Sequence, residues 1–337
     1  MNKFNPKLLR LVREQHGYSQ TEVADHLGVR QAAYSKYESG AVTPSEDIQK
    51  RLAPWFGYTP SFFTQKIDTF PSGLIYHRKR SSLSSKERSK IEAEARLRMI
   101  DIQKMAQQQK LHSNLPDLSN VSPKEAAAIL RVRWNIPRGP IANMVETLEN
   151  NGIVVLSFDF GTDLLDGFFV RLDISSICIV LNSNEAFSPD RNRFTLAHEL
   201  GHVLLHRDVM PDKKTEREAD EFASEFLLPN EDIVPELQQS ALTFARLKEL
   251  KKRWMVSIAA IVFKAHETEN ITTFAYRRFW TFMSSSGYRK NEPPCDLERE
   301  TPTLLRRLVV AQSKLTPDLP KFFHLTQDRY QERYRPT

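Results

Sequence analysis

The sequence predicts a multidomain, mainly α protein: an N-terminal all-α bundle of short helices, a central α+β domain with a small sheet, and a helical C-terminal region. Three observations carry this reading. The chain has 337 residues, so at the roughly 150 residues of a typical domain two or three domains are expected. Helical periodicity broken by Gly and Pro runs up to about Phe63 and returns after the middle of the chain. Only the runs IVVLSF, GFFVRL and ICIVLN have the length and the β-branched and aromatic content of strands. With 40% hydrophobic and 27% charged residues the chain can bury a core, which excludes a mostly disordered or collagen-like protein. No apolar stretch reaches the ~18 residues of a membrane span, and the N-terminal MNKFNPKLLRLVREQHG is interrupted by charges, so neither membrane insertion nor secretion is expected. Two cysteines, Cys178 and Cys295, are too few for a disulfide framework and fit a reducing cytoplasm. A net charge of +6 points to an anionic partner, nucleic acid among the candidates.

Taken in order, the chain divides into 1–66, 67–113, 114–235, 236–295 and 296–337. In the first segment Ser19-Gln20-Thr21-Glu22 has the spacing of a capping box, in which a Ser hydroxyl and a Glu carboxylate each satisfy an orphan backbone N–H at a helix start. That helix runs through Val23, Ala24 and Leu27 to Gly28, and a second helix, RQAAYSKYE, follows after a short turn. Thr43-Pro44-Ser45-Glu46 reads as a second capping box with Pro at the first helical position. The stretch LLRLVREQHGYSQTEVADHLGVRQAAYSKYESGAVTPSEDIQKRLA resembles the Xre/Cro-like helix-turn-helix family. The resemblance implies double-stranded DNA as partner, with the helix from Arg30 to Glu38 in the major groove and Gln31, Ala32 and Ser35 nearest the bases. Gln suits a bidentate contact with adenine and Ala a thymine methyl, while Arg30 and Lys36 can reach guanine or phosphate. Gln20 would face a phosphate. Arg30 and Ala32 stand where family members often carry Ser, so the base preference does not carry over. A bundle that binds protein instead of DNA is the alternative. Spacing sets at least one of Tyr34 and Tyr37 against the helical core.

Residues 67–113 read as a helical connector. It carries the basic run His77-Arg78-Lys79-Arg80, on DNA phosphates or simply solvated, and then a weakly amphipathic polar helix through Ile91, Ala95, Met99 and Ile100. Beyond it, two helices lead into the three strand-like runs.

The sharpest motif is RNRFTLAHELGHVLLH. On a helix started at Ser188-Pro189, His198 and His202 at i and i+4 project from one face and can hold one metal ion, while Glu199 can act as a base on water there. Two histidines on a buried helix without metal is the competing reading. His206 extends the face, but its Cα lies about 12 Å from that of His198 at ~1.5 Å per residue, so it reads as structural. A catalytic site needs a third ligand, and the helix around EREADEFASEF supplies candidates. Its inward stripe is Ala219, Phe222, Ala223 and Phe226. Glu216 shares that face, with Asp220 beside it, whereas Glu218, Glu221 and Glu225 point away. Thr215 and Glu218 have capping-box spacing. Glu216 is therefore the expected third ligand, Asp220 the residue holding a ligand imidazole, and Glu218 the runner-up.

HELGHVLLH followed by EREADEFASEFLLP resembles the ImmA/IrrE family of metallopeptidases, with the likeness running from about Asn114 to Pro293. The resemblance implies a gluzincin-like fold, one divalent metal, usually zinc with manganese as the alternative, and limited cleavage of a regulatory protein, often a helix-turn-helix repressor. Within it Glu199 is the general base and acid. ICIVLN, if at a sheet edge, could pair with an extended substrate. The segment LKELKKRWMVSIAAIVFKA in 236–295 is either a second helix-turn-helix or a helical cap on the peptidase, and 296–337 shows no strong pattern. Two functions follow. One is a cytoplasmic, prokaryotic DNA-binding regulator whose peptidase cuts itself or a partner repressor in a stress or mobile-element response, with a homodimer open as its assembly. The other is a non-proteolytic regulator whose HExxH domain senses metal or ligand.

Overall fold

The computed structural model describes residues 3–66, 75–77, 83–109, 113, 115–171, 177–206, 212–289, 292–293 and 297–334. Residues 78–80 of the basic run, and Cys295, lie outside the described residues.

In the N-terminal bundle, α1 (Pro6–His16) starts on Asn5, whose side chain accepts from the Lys7 N–H. Helix α2 (Gln20–Leu27) opens with the Ser19/Glu22 capping box and closes on Gly28 at φ 65°, a conformation that costs glycine little. Arg30 then caps α3 (Gln31–Glu38). Helix α4 (Glu46–Trp55) is capped by Ser45, two residues later than a Thr43 cap predicts. This choice puts Glu46 and Asp47 in the first turn, where carboxylates complement the helix dipole. Tyr34, fully buried, anchors α3 to the bundle core.

The remaining elements are β1 (Ile75–His77), α5 (Ser85–Gln109), α6 (Pro123–Arg133), α7 (Met144–Asn150), β2 (Val154–Phe158), β3 (Gly167–Arg171), β4 (Ile177–Asn182), α8 (Pro189–Leu205), α9 (Lys213–Leu227), α10 (Asn230–Gln238), α11 (Phe244–Trp254), α12 (Ile258–Glu267), α13 (Thr273–Ser285), α14 (Leu304–Leu315), α15 (Leu319–Phe323) and α16 (Gln327–Tyr334). The molecule is thus mainly α with one small mixed sheet, as the sequence predicts. The sheet order is β1-β3-β4-β2, antiparallel except for the parallel β2–β4 pair. The ICIVLN strand, β4, is therefore internal and has both ladders filled, which corrects the expectation that it could offer an edge to a substrate. Every residue of β4 is buried, the signature of a strand covered on both faces.

Those two faces belong to two different cores. Ile177, Ile179 and Leu181 of β4, with Val155 and Phe169, join a core built by α6 through α13. Cys178 and Val180, with Val154, Leu156, Phe168 and Val170, join a second core. That second core also contains the N-terminal bundle, α5 and the C-terminal helices. The period-2 alternation of strand side chains makes the sheet the partition between them.

This arrangement gives the predicted helical connector a place in the core. Helix α5 is buried on several sides, with Ala93, Leu97, Ile102 and Met105 inside as well as Ile91, Ala95, Met99 and Ile100. The C-terminal segment is equally structural. Leu325 forms a backbone bridge with Tyr58. The Thr59 N–H donates to the His324 carbonyl at 2.9 Å and the Thr326 N–H to the Gly57 carbonyl at 3.0 Å. Arg333, buried, donates to Asp101 of α5 at 3.0 Å and to the Tyr58 hydroxyl at 2.9 Å, and the Tyr334 hydroxyl donates to Asp101 at 2.6 Å. Helices α11 and α12 share the core of α8 and α9, so that core runs across residue 235 without a break.

Candidate functional site

Helix α8 starts with Ser188 at the cap position and Pro189 in its first turn, and is buried along most of its length. It meets α9 at Gly201. A Cβ there would stand 3.0 Å from the Phe222 ring and 3.2 Å from the Ala219 Cα, so the missing side chain is what lets the two helices approach. The approach brings Glu216 over the histidines. Nε2 of His198 and Nε2 of His202 are 3.1 Å apart. Glu216 places one carboxylate oxygen 3.4 Å from His202 Nε2 and the other 3.6 Å from His198 Nε2. His198, His202 and Glu216 thus offer one ligand atom each within 4.8 Å of one another. Glu199 follows His198 on the same helix and is 1% exposed.

The partners of the imidazoles fix which nitrogen faces that point. Asp220 Oδ1 lies 2.8 Å from His198 Nδ1, and an ionised carboxylate can only accept, so His198 carries its proton on Nδ1 and turns a lone pair outward at Nε2. For His202 the same result comes through two steps. Glu218 accepts from His206 Nε2 at 2.9 Å, which leaves His206 Nδ1 bare. That nitrogen, 3.0 Å from His202 Nδ1, accepts its proton and leaves His202 Nε2 bare as well. Burial lowers the His202 imidazole below its usual range, against the opposing pull of Glu216. Burial would raise the Glu216 carboxyl, yet when protons sit on His198 and His202 Nε2 their hydrogen bonds and charge hold it well below the usual carboxylate range, and a cation on those nitrogens would take the protons' place. With the ring protons on Nδ1, the two Nε2 atoms and the Glu216 carboxylate make a group that could hold a divalent metal ion.

Two sequence readings change here. The cap of α9 is Asp212, not Thr215: Asp212 Oδ1 accepts from the Thr215 N–H, and Thr215 Oγ1 accepts from the Asp212 N–H, both at 2.8 Å. Glu218 is thereby released from capping and serves His206. Glu225 does not point to solvent, since it accepts from the buried Lys264 and from the Asn230 N–H. His206 was missed as a partner of the site because its distance was judged from His198. Its separation from His202 repeats the i, i+4 spacing of the first two histidines, and that was the available signal.

In the N-terminal bundle Arg30, Gln31, Ala32 and Lys36 are exposed and Ser35 and Gln20 half-buried. Gln31 Nε2 donates to Gln20 Oε1 at 2.9 Å, and Gln20 Nε2 donates to Glu38 at 2.8 Å. Glu38 is held in turn by a bidentate contact from Arg13 at 2.6 and 3.0 Å. The Gln20 side chain is thus tied into the bundle.

Residues 9–63 match a helix-turn-helix family model, and residues 148–266 match that of the IrrE N-terminal-like domain of the M78 peptidases. The chain joins a helix-turn-helix domain to an IrrE-like peptidase domain. No curated protein matches the chain. Both groups of candidate residues fall inside these spans, the exposed set on α2 and α3 in the first and residues 198–220 in the second. The IrrE-like match crosses residue 235 and takes in α11 and most of α12, in line with their shared core. The chain is accordingly a DNA-binding regulator that carries a metallopeptidase-family domain. Among the described residues no helix is long and apolar enough to cross a membrane.

Proposed function

We propose that this chain is a transcriptional regulator whose IrrE-like domain binds one divalent cation through His198, His202 and Glu216 and makes a limited cut in a regulatory protein, itself or a partner repressor. Zinc is the expected ion, with manganese as the alternative, and the class of peptidase is gluzincin-like. The observation that carries the reading is the convergence of two bare imidazole nitrogens and the Glu216 carboxylate beside Glu199. A bound cation supplies Lewis acidity for the scissile carbonyl and for water. Asp220 and the Glu218–His206 pair keep the two rings in the ligating tautomer. Glu199, buried next to a ligand, takes the proton of the attacking water and passes it to the leaving amine. In the N-terminal bundle Gln31, Ala32 and Ser35 face base edges, Arg30 and Lys36 reach guanine or phosphate, and Gln20 sets the orientation of Gln31. The proposed units are 1–66 for the reader, 67–113 for the segment joining it to the peptidase, 114–235 for the catalytic part, 236–295 for its helical cap and 296–337 for the C-terminal segment. The setting is a prokaryotic cytoplasm, and a homodimer on duplex DNA is the proposed assembly.

Glu199→Gln tests the chemistry. The amide nearly matches the carboxylate in size and leaves the ligands untouched, so metal content should stay at one per chain while cleavage of the host's repressor proteins, or of the chain itself, falls by about 10²- to 10⁴-fold. Induction that is normal in Glu199→Gln but lost in His202→Ala would replace the peptidase reading with that of a metal sensor.

A further inference from the structure

Next to the metal centre, α8, α9, α12 and α13 enclose a cavity of about 600 Å³. Its position along α8 is set by Phe194, which lines it and stands one turn before His198 on the same face. Its position along α9 is set by Asp220, which lines it and also holds His198 at 2.8 Å. The cavity therefore opens beside a residue that touches a ligand imidazole.

The chemistry of the walls narrows what can enter. Lys251, on the lining, is buried and already paired with Asp190 at 3.0 Å and Glu292 at 2.8 Å. Glu292 further caps α12 by accepting from the Ile258 and Ala259 N–H groups at 2.7 and 2.9 Å. Arg191 is held by Asp166. These charges are satisfied within the protein, and a charged group brought against them would lose its water without gaining a partner. The apolar part of the wall is Phe194, Phe263 and Trp280, with the small Ala259 and Ala260 leaving the space between them, while Glu185 and Arg289 on the same lining are exposed to solvent. Phe263 is 50% exposed and can therefore meet an incoming group. Arg289 lies over the Trp280 ring at 5.0 Å, at the exposed rim.

We propose that this cavity receives a bulky uncharged side chain, aromatic or long aliphatic, of the polypeptide on which the metal centre acts, and so selects where the chain is cut. The proposal rests on the peptidase reading above, and the experiment keeps the two apart. The hydroxamates of N-acetylated phenylalanine, glycine and aspartate are titrated by calorimetry into the zinc-loaded full chain; the hydroxamate group ligates the metal, and only the side chain differs. The phenylalanine compound should bind at least about tenfold more tightly than the glycine compound, the gain from burying a phenyl ring. The aspartate compound should gain nothing over glycine. Ala260→Phe, which fills the cavity, and Trp280→Ala, which removes a wall outside the core, should each bring the phenylalanine compound to the glycine level, with zinc content showing that the site is intact. Equal binding of the phenylalanine and glycine compounds, or a preference that survives both substitutions, overturns the proposal. Tightest binding by the aspartate compound, through Arg289, overturns its apolar character. Failure of all three to bind a chain that holds its zinc means the metal has no open position, and the peptidase reading falls with the proposal.

Discussion

In the reader a run of hydrogen bonds starts inside the bundle and ends at the surface, from Arg13 through Glu38 and Gln20 to the exposed Gln31. At the metal centre the run goes the other way, from Glu218 at 26% exposure through His206 to His202 at 3%. The two arrangements solve one problem, holding a flexible polar group in a single orientation, under opposite solvation. At the surface, removing the last member costs a contact with the partner and little else. In the interior it also strands buried polar atoms, each lost partner costing about 1–3 kcal/mol. The reader should therefore tolerate loss of function without loss of fold, and the metal centre should not separate the two so cleanly.

The largest effects test the buried end. His202→Ala and Glu216→Ala should each weaken zinc affinity by more than the roughly 100-fold that marks the loss of an outer partner, measured by competition with a chelator. Wild-type affinity in Glu216→Ala would remove it from the ligand set. Next comes Arg333→Ala, which leaves Asp101 buried without its guanidinium partner; about 3–5 kcal/mol of stability should disappear in denaturant titration. A loss below about 1 kcal/mol would show that the Arg333–Asp101 pair is not what holds the C-terminal helix to α5. His206→Ala should lower zinc affinity about 10- to 100-fold and Glu218→Ala less, since His206 keeps its place between them, while DNA affinity stays put. No change in His206→Ala would dissolve the proton-ordering chain. At the exposed end, Gln31→Ala should cost about 1–3 kcal/mol on the preferred operator only, and Lys36→Ala should weaken all duplexes and lower the salt slope by about one. Unfolding of either variant at normal temperatures would contradict the contrast itself.

What the sequence made legible follows the range of the interactions. The grouping of His198, His202, Glu216 and Asp220 could be read because each pair lies on one helical face and an apolar stripe orients both helices. Helix starts were read well where a single cap residue was available, as at Ser19, and were displaced where two competed, Thr43 against Ser45 and Asp212 against Thr215. The role of α5 is hidden in the sequence because a helix buried by different neighbours on different sides shows no single apolar stripe: Ala93 and Leu97, both buried, fall outside the Ile91–Ala95–Met99 series. The C-terminal segment shows no strong pattern of its own, and the partners of Leu325 and Arg333, Tyr58 and Asp101, lie too far along the chain for a local period to register.

Translation gives that last contact a temporal meaning. Tyr58 and Gly57 are synthesised early, yet the backbone that bridges them, His324 to Thr326, is made only after the strands and metal helix between them. Until then the bundle lacks the side chains of Phe323 and Leu325 in its core. A chain that stops before His324 would thus present α3 on a bundle whose core lacks these two side chains.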